Sequence, residues 1–376
     1  MRLRSTIGWP YHAPTMILTN LFKQLFGRRR KESVDESLDE LLAAARSTFD
    51  AGDLDTASKA VNTALSVKAD CGEALFYSGL IAFARNNHQD ALAAFRKAAE
   101  QEPANENCQY QMALCHQALG DMPAAQGCCK TALAINPDFV NAYFLMSCIE
   151  LPGPQYTEVL TAVHQSLKPA TYLEIGVETG RTIILASPRT SAIGVDPMPQ
   201  IRHALGSNVR LFPTTSDAFF GQHDVKTEFG GRHVELAFID GMHHFDFALR
   251  DFAQVERHCN RNSIVLVHDC YPFDRRTAER DRATTFWSGD VWRLVIALKK
   301  YRPDLDIRTI ATPPTGLALI RNLNPDSREL SDHMDEIVAE MMATDYSMLD
   351  HDKKGALNWF PNEWSKIEGL LKANAA

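Results

Sequence analysis

Two hydrophobic patterns divide the chain. Over residues 36–150, alanines and larger apolar residues recur at helical spacing, and the whole pattern repeats every 34 residues. The alanines that mark the step are Ala57, Ala91 and Ala125, and then Ala64, Ala98 and Ala132. Repetition at a fixed period of this length is typical of architectures that stack one small unit. The pattern predicts about three units, each a helix, a tight turn and a second helix.

The predicted turns carry residues that tolerate the left-handed backbone needed where a helix ends. They are Gly52-Asp53, Asn86-Asn87 and Gly120-Asp121. The period and the turns resemble the tetratricopeptide repeat, and the resemblance covers Glu36 to Glu150. It implies an all-α, right-handed solenoid that binds a partner protein or mediates self-association. The alternative is an array that only packs against the domain that follows.

The pattern changes after Leu151–Pro154, because two prolines and a glycine cannot continue a helix. Beyond a helix at 156–166, short apolar runs alternate with helical stretches, which is typical of parallel strands joined by helices. The predicted strands span 171–175, 192–195, 209–212, 234–239, 263–267, 305–311 and 317–321. A short Pro-Pro-Thr-Gly turn joins the last two, so they are antiparallel to each other. This half is predicted to be an α/β domain with a mainly parallel, seven-stranded sheet whose last strand is antiparallel.

The chain thus divides into four predicted parts: a leader at 1–35, repeats at 36–150, the α/β domain at 151–325 and a helical extension at 326–376. A hydrophobic fraction of 45% and a net charge of -8 are ordinary for a globular protein. An acidic chain offers no general electrostatic basis for binding nucleic acid. Its eight cysteines form no CxxC pair or regular framework, so reduced thiols and a cytoplasmic location are expected.

The leader holds one feature that bears on location. Met16 is a second candidate for the true start, and the apolar segment 16–26 precedes the basic cluster Arg28–Lys31. Residues 16–31 form either a disordered stretch or a short basic amphipathic helix that touches a membrane surface. No run of 18 apolar residues occurs, so a transmembrane segment is not expected.

The first predicted strand runs into a glycine-containing turn, Glu174-Ile-Gly-Val-Glu-Thr-Gly180. Glycines let a ligand approach the backbone closely, and a helix expected after the turn offers unpaired N–H groups. A dinucleotide site would carry GxGxxG, because it must wrap a pyrophosphate. Here Glu174 replaces the first glycine, and Gly176 and Gly180 are four residues apart. That spacing resembles the ExGxxxG loop of S-adenosylmethionine enzymes, whose cofactor lacks a phosphate and carries an ammonium group.

Polar residues follow the next two predicted strands. Asp196 ends the second strand 22 residues after Glu174, where a carboxylate accepts hydrogen bonds from both ribose hydroxyls in dinucleotide folds. Ser216 and Asp217 follow the third strand, in the corner that contacts adenine in the S-adenosylmethionine enzymes. A helix N-cap explains either of these two residues equally well.

The fourth strand leads into Phe238-Ile-Asp-Gly-Met-His243, and the fifth into His268-Asp269-Cys270. In this order the motifs resemble class I S-adenosylmethionine-dependent methyltransferases. The FIDGxH segment is similar to a group that includes sugar and macrolide-sugar O-methyltransferases, and the resemblance covers about 160 residues. It implies an S-adenosylmethionine site formed by Glu174, Gly176, Gly180, Asp196, Ser216, Asp217 and Asp240.

The resemblance also implies catalytic roles. Asp240 is expected beside the methyl group of the cofactor, and His243 is expected to take the proton of an acceptor hydroxyl. His243 is preferred to His244 because it matches the family position. The alternative is that His243 only hydrogen-bonds a loop carbonyl.

Magnesium is a second way to activate a hydroxyl. In the catechol-type methyltransferases, acids after the fourth and fifth strands hold Mg2+, and Asp240 and Asp269 supply two oxygen ligands at those positions. His268 or Cys270 would be the third ligand, and neither suits Mg2+. The alternative is that Asp269 caps a helix or holds the base, and the sequence favours neither a metal-dependent nor a metal-independent route.

The sequence therefore predicts an O-methyltransferase that acts on a hydroxyl of a sugar, glycan or natural product, with the repeats recruiting a partner or a second subunit. A protein acceptor is one alternative. An inactive methyltransferase-like domain that only supports the repeats is another. Trp287 and Trp292 either line the acceptor pocket or belong to the core, and Asp290 is expected to cap the helix that follows it.

Overall fold

The computed structural model describes residues 32–372, with side chains from residue 37 onwards. The predicted basic segment 16–31 and its membrane contact lie outside these residues. The described chain forms two compact units, which divide between Pro103 and Ala104. Within residues 32–372, no helix is both long and apolar enough to cross a bilayer.

Four helices make up the described part of the first unit, residues 32–103, and they pack as two pairs. They are α1 (Glu32–Asp50), α2 (Leu54–Val67), α3 (Gly72–Ala84) and α4 (His88–Gln101). The alanines of the 34-residue pattern are buried here. Gly79 allows close packing of α3 and α4, since a Cβ at this position would lie 2.6 Å from the Phe95 ring.

The second unit begins with three more helices of the array, α5 (Glu106–Ala118), α6 (Met122–Ile135) and α7 (Val140–Glu150). The turn before α6 is left-handed at Gly120, where φ is +81°. Asp121 caps α6 by accepting a hydrogen bond from the Ala124 amide. The helical array predicted from the repeat period is therefore confirmed. All eight cysteines lie within the described residues and are thiols rather than disulfides.

An eight-stranded sheet forms the centre of the second unit, in the order β3-β2-β1-β4-β5-β7-β6-β8. The strands are β1 (Thr171–Ile175), β2 (Ser191–Val195), β3 (Val209–Phe212), β4 (Val234–Ile239), β5 (Cys259–His268), β6 (Asp306–Ile310), β7 (Leu317–Arg321) and β8 (Trp359–Phe360). Only β7 runs antiparallel to its neighbours. All seven predicted strands form, and the tail adds an eighth beside β6.

Helices cover both faces of this sheet. On one face, α8 (Tyr156–Leu167) and α16 (Trp364–Lys372) pack with Tyr172. On the other, α11 (Phe245–Arg257) and α12 (Trp292–Tyr301) pack with Leu173 and Ile175. Successive residues of β1 thus point to opposite faces, as the period of a strand requires. Five short helices complete the unit: α9 (Ser216–Gln222), α10 (Val225–Glu228), α13 (Glu329–Asp332), α14 (Met334–Ala343) and α15 (Lys353–Ala356).

One expected element is much shorter than predicted. Instead of a helix after the glycine turn, the chain makes a single 3-10 turn at Ile183–Leu185. Pro188 and the start of β2 at Ser191 leave no length for a longer helix. The amide groups that a long helix would present to a ligand are therefore replaced by those of the turn itself.

Candidate functional site

The glycine turn lies where β1 and β4 end side by side. Gly176 has φ of +86°, and a Cβ at this position would overlap the carbonyl oxygen of Asp240. The Asp240 amide in turn donates to the Ile175 carbonyl, at 2.8 Å. Gly180 is also left-handed, with φ of +82°. Only glycine satisfies both the backbone angle and the close approach at position 176.

Glu174 lies under this turn rather than at its surface. Its side chain is fully buried, and its two oxygens accept hydrogen bonds from the hydroxyls of Tyr172 and Thr182. Burial raises the pKa of Glu174 to about 8, against the opposing effect of these two hydrogen bonds. In this arrangement the carboxyl group holds the turn to β1, and its contact with a cofactor remains a prediction.

Asp196 closes the same turn from the end of β2. One carboxylate oxygen accepts from the amides of Val177 and Glu178, both at 2.9 Å, and the other from the Met198 amide at 2.8 Å. Glu178 has φ of +46°, a conformation that costs free energy for a residue with a side chain. The carboxylate of Asp196 stabilises that conformation by binding the two successive amides.

The corner after β3 is capped by a residue that the sequence did not single out. Thr215, rather than Ser216 or Asp217, is the N-cap of α9, and its hydroxyl accepts from the Ala218 amide. Asp217 is exposed and lies 3.5 Å from the Arg250 guanidinium. Ser216 hydrogen-bonds the side chain of Asp251.

Asp251 was missed as a site residue in the sequence analysis. It is buried on α11, and burial raises the pKa of its carboxyl to about 7. It lines a cleft together with Asp240, Met242, His243, His268 and Asp269. Its position in the sequence could have indicated a role, because an acid on the apolar face of an amphipathic helix is costly to bury unless it has a polar partner.

Two histidines and two aspartates meet in this cleft. Asp240 Oδ1 lies 3.4 Å from His243 Nε2 and 3.2 Å from His268 Nδ1. Asp269 Oδ2 lies 3.1 Å from His243 Nδ1 and 3.3 Å from His268 Nδ1. Each carboxylate therefore faces both rings.

This arrangement shifts the pKa values of His243, His268 and Asp240. Burial opposes a charge on both rings, but Asp269 and Asp240 outweigh it and raise the pKa of His243 to about 9 and that of His268 to about 10. Burial alone would raise the pKa of Asp240, yet the two rings hold it well below its usual range. At neutral pH both histidines are cationic beside two carboxylates.

The backbone at this site adopts uncommon angles. His243 has φ of +56° and Asp269 has φ of +61°. Gly289 packs so closely that a Cβ there would overlap the carbonyl oxygen of His243. Non-glycine residues at such angles cluster at functional sites, where surrounding contacts hold them in place.

The two tryptophans behave differently. Trp287 is partly exposed and stacks on the His243 ring, with centroids 5.4 Å apart and planes at 21°. Trp292 is fully buried in the core. Asp290 was predicted to cap α12, and this prediction is wrong. Its carboxylate accepts a hydrogen bond from the Phe245 amide at 2.7 Å and so caps α11 instead.

The side chains of the predicted metal set lie close together. His268 Nδ1 is 3.2 Å from Asp240 Oδ1 and 3.3 Å from Asp269 Oδ2. Ligand atoms of Asp240, His243 and Asp269 also lie within 4.8 Å of one another. The Cys270 thiol instead donates to the carbonyls of Val267 and His268. Mg2+ prefers oxygen ligands at 2.0–2.1 Å in an octahedron, whereas the oxygens here face ring nitrogens. The donor set does not fit Mg2+ well.

Comparisons with known proteins agree with this architecture. A family model described as a methyltransferase domain matches residues 173–270. Two models described as tetratricopeptide repeats match residues 42–106 and 82–146. No curated protein matches the chain.

Several solved structures are distantly similar. MamA is 20% identical over 29% of this chain and 64% of its own, with a TM-score of 0.28. A mutant O-GlcNAc transferase of Thermobaculum terrenum is 14% identical over 56% of this chain and 46% of its own, with a TM-score of 0.32. Cofactor-bound Rv0187 from MTB is 17% identical over 48% of this chain and 88% of its own, with a TM-score of 0.36. The chain spans less than two thirds of the length of the first two proteins.

A methyltransferase domain generally uses S-adenosylmethionine, and tetratricopeptide repeats generally take part in protein interactions. The chain therefore combines tetratricopeptide repeats at residues 42–146 with a methyltransferase domain at residues 173–270.

Proposed function

We propose that this protein is an S-adenosylmethionine-dependent O-methyltransferase that acts on a hydroxyl of a sugar, glycan or related natural product. The observation that carries the proposal is the position of His243. Its Nδ1 faces Asp269, its Nε2 is 3.4 Å from Asp240, and one face of the ring stacks on the partly exposed Trp287. When the ring is neutral with its proton on Nδ1, Nε2 can accept the proton of a hydroxyl that approaches in the plane of the ring.

The residues around the glycine turn fit the cofactor. Gly176 and Gly180 keep the backbone free of side chains, and Asp196 Oδ1 keeps accepting capacity for a ribose hydroxyl beyond its one amide partner. We assign Ser216 and Asp217 to the adenine side, and Glu174 to holding the turn through Thr182. When bound, S-adenosylmethionine supplies an electrophilic methyl group to a nucleophilic oxygen.

His243 acts as the base in its neutral form. Its pKa of about 9 means that the ring is mostly protonated at neutral pH before substrates bind. A further cation in the cleft lowers that pKa, because like charges disfavour the protonated form. Asp240 and Asp269 then stabilise the imidazolium that forms as the hydroxyl loses its proton.

We favour this route over Mg2+. Both carboxylates already face cationic rings, so the charge that a metal would supply is present in the side chains. His268, which the sequence offered as a third ligand, is instead placed between Asp240 and Asp269 as a second cation. Asp269 acts on this view by orienting His243.

The remaining assignments concern the rest of the chain. We propose that the repeats bind a partner protein or a second copy of the chain. The thiol state of all eight cysteines supports a reducing compartment, and hence the cytoplasm. A protein acceptor held by the repeats is the competing function, and the acceptor screen below distinguishes the two.

The test is a methyl-transfer assay with labelled S-adenosylmethionine. Purified full-length chain is incubated with a panel of glycosides and with proteins from a cell extract, and the product class that gains label is identified. Label in a glycoside that requires His243 supports the proposal. Label only in protein would replace it with the protein-acceptor alternative, and no label in either, together with no cofactor binding, would overturn it.

A further inference from the structure

The segment between β5 and α12 contacts the cleft residue His243 through Trp287, which stacks on its ring. Residues 271–288 run from the end of β5 to Trp287, and two groups of contacts hold this segment. Arg280 pairs with Asp246 at 2.7 Å, which ties the segment to the start of α11. The Trp287 indole N–H donates to the Glu279 carbonyl at 2.6 Å, which fixes the ring within the segment.

The second group of contacts comes from the last helices of the repeat array. Asp138, between α6 and α7, accepts hydrogen bonds from both the amide and the hydroxyl of Thr285, the latter at 2.9 Å. Tyr143, on α7, stacks on Phe286 with ring centroids 5.4 Å apart and planes at 14°. Phe273 also packs edge-to-face with Tyr143, with ring centroids 5.8 Å apart.

These contacts are well placed to control the cleft. Tyr143 is 4% exposed and Phe286 is 7% exposed, so their stack is shielded from water. The next residue, Trp287, stacks on His243. Of two adjacent residues, Phe286 is therefore held by α7, and Trp287 lies against the His243 ring.

We propose that Asp138 and Tyr143 are positioning residues for the acceptor site, and that they fix residues 284–287 so that Trp287 lies against His243. The inference rests on the proposed function, which assigns acceptor binding to the site around His243. The last repeat is on this account part of the catalytic unit, and its contact with Thr285 and Phe286 sets the geometry in which an acceptor binds.

The experiment compares four variants of the full-length chain. Asp138→Ala removes an exposed side chain that bonds Thr285, and Tyr143→Ala removes the aromatic stack. Tyr143→Phe keeps the stack and serves as the conservative variant. Asp121→Ala is the matched control, because it removes an N-cap from α6 in the same array without touching the segment.

Three readouts are measured on each variant. Hydrogen exchange with mass spectrometry follows peptides covering 271–290, the 241–246 turn and the glycine turn. Acrylamide quenching reports the exposure of Trp287, isolated by comparison with Trp287→Phe. Calorimetry gives the affinity for S-adenosylmethionine, which the positioning role should leave unchanged.

We expect Asp138→Ala and Tyr143→Ala to raise exchange in 271–290 and in the 241–246 turn by about tenfold or more, and to expose Trp287. Exchange at the glycine turn and cofactor affinity should stay as in the wild type, and Tyr143→Phe and Asp121→Ala should leave Trp287 unchanged. The inference is overturned if loosening stays within α7, or if Tyr143→Phe behaves like Tyr143→Ala. If Tyr143→Ala does not fold, Asp138→Ala decides alone. Absence of cofactor binding in the wild type would instead refute the proposed function, and the exchange result would still stand.

Discussion

His243 Nδ1 lies 3.1 Å from Asp269 Oδ2, across the cleft between the ends of β4 and β5. The two residues belong to neighbouring strands of a parallel sheet, whose carboxyl ends meet at one edge. Both have left-handed backbone angles, with φ of +56° at His243 and +61° at Asp269. The pair joins a titratable ring to a buried carboxylate at the carboxyl edge of the parallel strands.

The first prediction concerns His243 itself. His243→Asn should lower the rate of methyl transfer by about 100- to 10,000-fold, the usual contribution of a general base. Cofactor affinity should change little, because the ring is not assigned to cofactor binding. His244→Ala is the neighbouring control and should keep most of the activity. Equal losses in the two variants would remove His243 from the mechanism.

The second prediction concerns pH. A base works when it is deprotonated, so the rate should rise with pH until the pKa of His243, about 9 in the free protein, is passed. Asp269→Asn removes a negative charge that raises this pKa, and the rising limb of kcat/KM should therefore move to lower pH. The measurement is the pH profile of both proteins. An unmoved limb would show that Asp269 does not act on the base.

Much of this site follows from the sequence, and the reason is that its motifs are local. The roles of Gly176 and Gly180 in the turn could be predicted from the local sequence, because a left-handed backbone without side chains requires glycine at particular positions within a few adjacent residues. The positions of seven strands and their mainly parallel arrangement followed from the alternation of apolar runs with helices. Asp240 and Asp269 were expected to lie together because the resemblance to catechol-type methyltransferases pairs the acids that follow the fourth and fifth strands.

The parts that sequence reasoning missed depend on contacts between distant segments. Asp290 was predicted to cap its own helix, but its carboxylate reaches the Phe245 amide instead. Asp251 is separated in sequence from Ser216, which it hydrogen-bonds. The stack of Tyr143 on Phe286 joins a repeat helix to a loop of the other domain. The spacing of residues along the sequence does not predict such contacts, because only the folded structure brings these residues together.

The third prediction concerns metal. Methyl transfer by protein treated with EDTA and exchanged into metal-free buffer should retain its rate, because His243 rather than a metal activates the hydroxyl and the carboxylates of Asp240 and Asp269 both face the His268 ring. Adding Mg2+ should not raise the rate. An activity that disappears with EDTA and returns with Mg2+ would contradict this account of the four residues.

The fourth prediction concerns stability away from the cleft. Glu256 and Arg302 form a buried, two-pronged ion pair at the end of α11, with one of the two bonds at 2.9 Å. Replacing Glu256 by Gln leaves the buried Arg302 guanidinium with only the exposed Asp304 as a partner charge, which should lower the free energy of unfolding by about 1–3 kcal/mol. Urea denaturation measures the change. Lys366→Gln, which removes one member of an exposed pair with Glu363, should cost less than about 1 kcal/mol.

The fifth prediction tests the cofactor site, on which every proposal about catalysis depends. A methyl group at Gly176 would overlap the Asp240 carbonyl, so Gly176→Ala should displace the turn. Gly127 is the matched control, because a Cβ at this helical position meets nothing within 4 Å.

The most direct measurement is therefore calorimetric titration of S-adenosylmethionine into the wild type, Gly176→Ala and Gly127→Ala. We expect saturable binding with one site per chain in the wild type and in Gly127→Ala, and loss of binding in Gly176→Ala with the fold retained. No binding by the wild type, or equal binding by Gly176→Ala, would contradict the assignment of the cofactor to this turn.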